Sequence, residues 1–177
     1  MTPGQAISEF KRSCQEYYIC YSVAAIGLEQ AANRIAALSP DRTKTFHIGT
    51  GPPEVGDWQA SISMGKYLDS SVRGGAFSDQ LAKAFVTAIF SSWDELYRPR
   101  IAEEAKVATK KVRSDLMGDL RHIRHCIVHK NSVVTSEHRK LKELNWPMLP
   151  GALRITPEMF KGLIDQINTM RVVIEPS

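Results

Sequence analysis

Arg124-His125-Cys126-Ile127-Val128-His129 sets a permanent cation and a titratable base five positions apart. Arginine stays charged, and its planar fork matches a phosphate. Histidine gives or takes a proton near neutral pH. The two together suit the cleavage of a phosphodiester. Such chemistry needs a rigid element to carry both groups and a fold that leaves them facing solvent.

The pattern around the motif predicts that element as a helix from about Ser114 to Lys130. Leu116, Leu120, Ile123 and Ile127 recur at three- and four-residue steps and form its core stripe. Asp115 in the first turn and Lys130 in the last suit the helix dipole. With Arg121 at zero and about 100° per residue, the core stripe lies between about 200° and 260°. His122, His125 and His129 then fall near 100°, 40° and 80°, away from the core, and Arg124 near 300°. Arg124 and His129 are therefore about 140° apart and border one shallow site without pointing at each other. A second copy packed alongside would complete a cleft, which favours a homodimer.

Charge concentrates on the same stretch. Arg98 to Lys142 holds twelve Lys/Arg and five Asp/Glu, or +7, so the remaining residues of this +4 chain carry −3. Four of the five histidines (His122, His125, His129 and His138) lie there too. A local basic surface attracts polyanions. Arg98, Arg100, Arg121 and Lys130 are its candidate phosphate contacts, with solvated surface charge as the plain alternative.

The other segments predict helices that hold the motif. Thr2 to Leu38 is one long helix, with Phe10, Tyr17, Tyr21, Leu28 and Ile35 at helical steps and Ser39-Pro40 at its end. Residues 40–76 break that regularity, with turn signals at Thr50-Gly51-Pro52-Pro53 and Arg73-Gly74-Gly75. Strand character in Thr45–Ile48 and partial alternation in Trp58–Met64 predict a small hairpin in this irregular insertion. A second helix runs from Ser78, its expected cap, towards Lys110. Its stripe is Leu81, Phe85, Ala88 or Ile89, Ser92 or Trp93, and Leu96, and Pro99 kinks or divides it. Ile101 to Val112 is expected to continue it. A short helix is expected over Ser136 to Leu144, and a last one from Thr156-Pro157, with Phe160, Leu163, Ile164 and Ile167 inward.

The expectation is a single all-α domain over 1–177: an up-and-down bundle of four to five helices with an irregular insertion after the first. Cys14, Cys20 and Cys126 are few, odd in number and lack a CxxC, so buried thiols are expected rather than disulfides. At least one of Tyr17, Tyr18 and Tyr21 is expected to be exposed. No run spans a bilayer and no secretory leader is legible, so a cytoplasmic location is expected.

The motif resembles the Rx4–6H signature of HEPN domains, in which the arginine is followed by Asn, Asp or His. The polar turn Lys130-Asn131-Ser132 and the aromatic segment Phe90-Ser91-Ser92-Trp93-Asp94-Glu95-Leu96-Tyr97-Arg98 are similar to those of bacterial and plasmid-borne members. Residues 1–38 and 78–170 carry the likeness; residues 40–76 do not. The resemblance implies a metal-independent endoribonuclease, without cofactor, in a toxin–antitoxin or phage-defence setting. It further implies RNA as substrate, and an antitoxin or nucleotidyltransferase as partner. On that model His129 is the general acid or base, Arg124 stabilises the phosphorane-like transition state, and His125 orients the motif or assists proton transfer.

Two other readings fit the residues. His125 and His129, four apart, have a spacing that can chelate a metal, with His122 on the same face, although no HExxH glutamate is present. The same fold also serves as a non-catalytic RNA- or nucleotide-binding or dimerisation module.

Overall fold

The computed structural model describes residues 2–51, 56–136 and 140–176, without the side chain of Trp58. Pro52, Pro53, His138 and residues 137–139 of the expected short helix lie outside that range. The protein is mainly helical: 63% of the described residues are helix, and the described strands form small antiparallel pairs. Among the described residues no helix is long and apolar enough to cross a membrane. The chain divides into two compact units, one of Met1–Tyr21 with Asp79–Ser177 and one of Ser22–Ser78.

Helix α1 spans Pro3–Leu38. Thr2 and Gln5 cap its start reciprocally: the Gln5 N–H donates to the Thr2 hydroxyl and the Thr2 N–H to the Gln5 side chain. In the unit Ser22–Ser78, strands β1 (Thr45–Thr50) and β2 (Asp57–Ser63) form the expected hairpin, with a register shift between Ile48 and Gly49. An unexpected helix α2 (Met64–Ser71) follows, capped by the Ser63 hydroxyl. Ala32, Met64 and Tyr67 form a small core, with the Phe46 ring stacked on Tyr67 at 4.6 Å. Gly75 is required by close approach, because a Cβ there would stand 2.5 Å from the Ser70 carbonyl oxygen. Ser78 does not cap the next helix. Helix α3 (Ala76–Ser91) starts two residues earlier, and the Ser78 hydroxyl donates to the Gly75 carbonyl.

In the other unit, α3 gives way to a π-helical turn at Ser92–Tyr97 and then to α4 (Arg98–Glu104). Pro99 explains the widening. It has no N–H for the carbonyl four residues back, and its ring would crowd that carbonyl. The Arg98 N–H accordingly donates five residues back, to the Trp93 carbonyl. The extra residue shifts the helical phase. Leu96 is thereby 55% exposed, against expectation, while Trp93 and Ile101 are buried. Leu81 and Phe85 are only half-buried, and Ala82, Val86 and Ile89 form the inner stripe instead.

The expected continuation to Val112 stops at Glu104. Lys106 adopts a left-handed conformation (φ 55°), and the Val107 N–H closes on the Ala102 carbonyl. A 3-10 turn, Thr109–Lys111, leads to β3 (Val112–Arg113). Helix α5 (Asp115–His129) follows, then β4 (Val133–Val134), β5 (Gly151–Ala152), α6 (Pro157–Thr169) and β6 (Val173–Ile174). β3 pairs with β6 and β4 with β5.

Thr156 caps α6 as expected, and Phe160, Leu163, Ile164 and Ile167 are all buried. Burial of each such side chain stabilises the fold by about 1.5–3 kcal/mol. Phe10 packs against Trp93 and Tyr97, each at 5.3 Å between ring centroids. Cys14 and Cys126 are buried, but Cys20 is exposed, because it sits on the outer face of α1. None of the three tyrosines is exposed: Tyr21 is buried against Phe160, and Tyr17 and Tyr18 are half-buried.

The expected helix up to Leu144 is absent from residues 140–144. The buried Asp119 carboxylate accepts the N–H groups of Lys142, Glu143 and Leu144 at 2.7–3.0 Å. Three successive donors turned to one carboxylate hold that segment in an irregular path.

Candidate active site

Ser114 is extended and caps α5, its hydroxyl accepting from the Met117 N–H. Leu116, Leu120, Ile123 and Cys126 are buried, which fixes the helix's rotation about its axis and turns His122, His125 and His129 to solvent. Ile127, expected inward, is half-buried at the edge of that stripe.

The C-terminal end of α5 is tightly tied. The Ser132 N–H donates to the Cys126 carbonyl (2.9 Å), and Asn131 and Ser132 have positive φ of 47° and 62°. Leu153 donates to the Ser132 carbonyl, which anchors the turn to the segment before α6. Strained residues of this kind persist only where surrounding contacts over-determine them. The turn Lys130-Asn131-Ser132 therefore fixes the last residue of the helix, His129.

His125 and His129, one turn apart, bring their rings to 5.0 Å between centroids with 38° between planes. Both are exposed. Arg124 leaves the same helix on the other flank. It is half-buried, its guanidinium carbon lies 5.7 Å from the Phe90 ring centroid, and its buried Nε has no hydrogen-bond partner among the described residues.

Arg124 opens into a groove of about 500 Å³ between the π turn and the N-terminal half of α5. Arg98 and Arg121 line the same groove. Arg98 is held in place by Asp94 at 3.0 Å and by the Val112 carbonyl. The groove has a fourth guanidinium, Arg113, paired with Glu175 at 3.3 Å. Sequence reasoning did not single out Arg113 or the Phe90 platform as site residues. Arg113 precedes the cap of α5, and the helical spacing Ser114, Gly118, Arg121 was the available signal for this face.

The structure thus gathers Arg98, Arg121 and Arg124, and separately pairs His125 with His129. The two imidazoles are not among the residues lining the groove. Arg100 lies apart, paired with Glu9 at 2.7 Å, and Lys130 is exposed at the C-cap of α5. Among the described residues no group of three or more His, Cys, Asp or Glu is placed to hold a metal. What the arrangement offers chemically is an exposed imidazole pair for proton transfer and, on an adjoining flank, guanidinium groups suited to phosphate.

No family model, curated protein or solved structure matches this chain.

Proposed function

We propose that this chain is a metal-independent endoribonuclease of HEPN type, acting in the cytoplasm as a homodimer of up-and-down helical bundles. The observation that carries the reading is α5 itself. It bears an exposed imidazole pair, His125 and His129, and a half-buried arginine with an unsatisfied Nε. A phosphate oxygen is the acceptor that best matches a guanidinium.

In the proposed reaction His129 takes the proton from a ribose 2′-hydroxyl. The resulting oxygen attacks phosphorus, and the bond to the 5′-oxygen breaks. The leaving oxygen takes a proton from His125 or from the same histidine of a second copy. Arg124 stabilises the charge that builds on the phosphoryl oxygens. The products are a 2′,3′-cyclic phosphate and a 5′-hydroxyl. Within one chain Arg124 and His129 are about 140° apart around α5. Two α5 helices side by side would set one copy's arginine across from the other's histidine, which is the reason for the dimer. A toxin–antitoxin or defence role, with an antitoxin or nucleotidyltransferase partner, belongs to the same proposal.

The test is incubation of wild type, Arg124→Ala and His129→Ala with mixed RNA in excess EDTA. Cleavage by wild type alone, yielding cyclic phosphate, supports the proposal. Chelator-sensitive cleavage points to a metal, and intact RNA overturns the nuclease reading. A second reading, a non-catalytic RNA- or nucleotide-binding module, is favoured by one observation: the arginine groove does not include the imidazole pair. RNA binding without cleavage in the same assay would select it.

A further inference from the structure

We propose that the groove between the π turn and α5 is a backbone track for single-stranded RNA, with Arg121 as its principal phosphate contact. The inference rests on the RNA reading above but not on cleavage.

The difference between structural and unemployed arginines carries it. Arg98 and Arg113, on the groove walls, each have a carboxylate partner, Asp94 and Glu175. Arg100, outside the groove, has Glu9. Arg121 and Arg124 have no ion pair or hydrogen bond among the described residues, and the Nε of Arg124 is buried. Both project from one face of α5, about 4.5 Å apart along its axis, so their guanidinium groups meet the same strand. The carboxylates on the walls are engaged as well: Asp94 with Arg98, and Asp115 with Lys142 at 2.6 Å. The unspent charge in the groove is therefore positive.

The floor of the groove is open. Gly118 lies one turn before Arg121, and a Cβ added there would meet no atom within 4 Å. The aromatic residues at the groove, Phe90 and Trp93, are 7% and 2% exposed. They support the arginines rather than offer faces for base stacking. A site with guanidinium groups and no exposed base platform recognises phosphate and not sequence. It should take ribose, deoxyribose and 2′-O-methyl strands alike. Sequence preference, where present, must come from residues near the imidazole pair.

The probe is a fluorescent twelve-nucleotide 2′-O-methyl oligouridine, which has no free 2′-hydroxyl and cannot be cleaved by the proposed reaction. Its binding is followed by anisotropy across a salt series. Arg121→Ala removes the contact. Gly118→Leu fills the groove without changing charge. Lys161→Ala, on α6, is the control of equal charge loss. Arg121→Ala is expected to weaken binding about tenfold and to reduce the slope of log K against log salt by about 0.7, the share of one phosphate on a single strand. Gly118→Leu is expected to weaken it similarly, and Lys161→Ala to leave it near wild type, with circular dichroism unchanged in all three.

Unchanged affinity in both groove variants overturns the track. Displacement of the probe by uridine monophosphate or inorganic phosphate at equal concentration overturns it too, and assigns the groove to a small anion. Loss of probe binding in the groove variants of a protein that leaves RNA intact keeps the track and removes the nuclease. RNA cleavage with unaltered binding in those variants does the reverse.

Discussion

The guanidinium of Arg124 stands over the ring of Phe90, 5.7 Å from its centroid. The ring is nearly buried, so its face is a fixed negative surface that orients the cation. Phe90→Leu keeps an apolar side chain there but removes that face. Stability should fall by about 1–2 kcal/mol, from lost packing and lost cation–π attraction. RNA affinity should fall severalfold, because the guanidinium spreads over more rotamers. Urea unfolding and anisotropy measure the two effects. Equal affinity in the variant would show that the ring does not position Arg124.

Asp119 is a second fixed relationship on α5. Its carboxylate is 1% exposed and accepts from Lys142, Glu143 and Leu144. Asp119→Asn replaces one acceptor oxygen by a donor that faces backbone N–H groups. Leaving a buried donor without its charged acceptor should cost about 2–4 kcal/mol. The effect should be local at first: the amides of Lys142 to Leu144 should exchange with deuterium faster than the amides of α6. Slow exchange there in the variant would mean the loop is held by other contacts.

These two residues mark where the sequence is legible and where it is not. The periods of α5 and α6 are readable because one buried stripe decides each helix, as at Leu116, Leu120 and Ile123. Thr156-Pro157 is readable because a cap is a local hydrogen bond. Asp119 reads as one more charged residue on a helix, because its donors lie 23 to 25 positions away. The π turn is only half legible: Pro99 announces a disturbance, but its effect on the exposure of Leu96 depends on how the turn widens. At the site, the exposure of His125 and His129 follows from the core stripe. The Arg98–Asp94 pair has the i, i+4 spacing of a helical ion pair, whereas Arg100 finds Glu9 91 positions away, which shows in no spacing.

Asp79 and Lys83 form a nearly buried pair on α3, 2.8 Å apart, and Asp79 also accepts the Ile155 N–H at 2.7 Å. That second bond ties α3 to the residue before the Thr156 cap of α6. Lys83→Met strands the carboxylate and should destabilise the protein by about 3–5 kcal/mol. The double variant Asp79→Asn with Lys83→Met keeps an acceptor for Ile155 and leaves no unpaired charge. It should recover more than half of that loss in denaturant unfolding. A double variant as unstable as the single would mean that lost packing, not an uncompensated charge, sets the cost.

The three thiols should separate cleanly in reactivity. Cys20 is exposed, whereas Cys14 and Cys126 are buried. A disulfide reagent at pH 8 should modify one thiol quickly in the folded protein and three only after unfolding. Burial pushes the Cys14 thiol up to about 12 from an ordinary value near 9. Below pH 9 the thiol is protonated in both states and contributes no pH dependence. Above it the unfolded chain ionises while the folded one does not, so this group lowers stability by about 1.4 kcal/mol per pH unit until its folded value is reached. Cys14→Ala should be less stable at pH 8, from the cavity, but its stability should decline less steeply than wild type between pH 9 and 11. Parallel curves for the two proteins over that interval would mean that Cys14 ionises as readily in the folded chain as in the unfolded one.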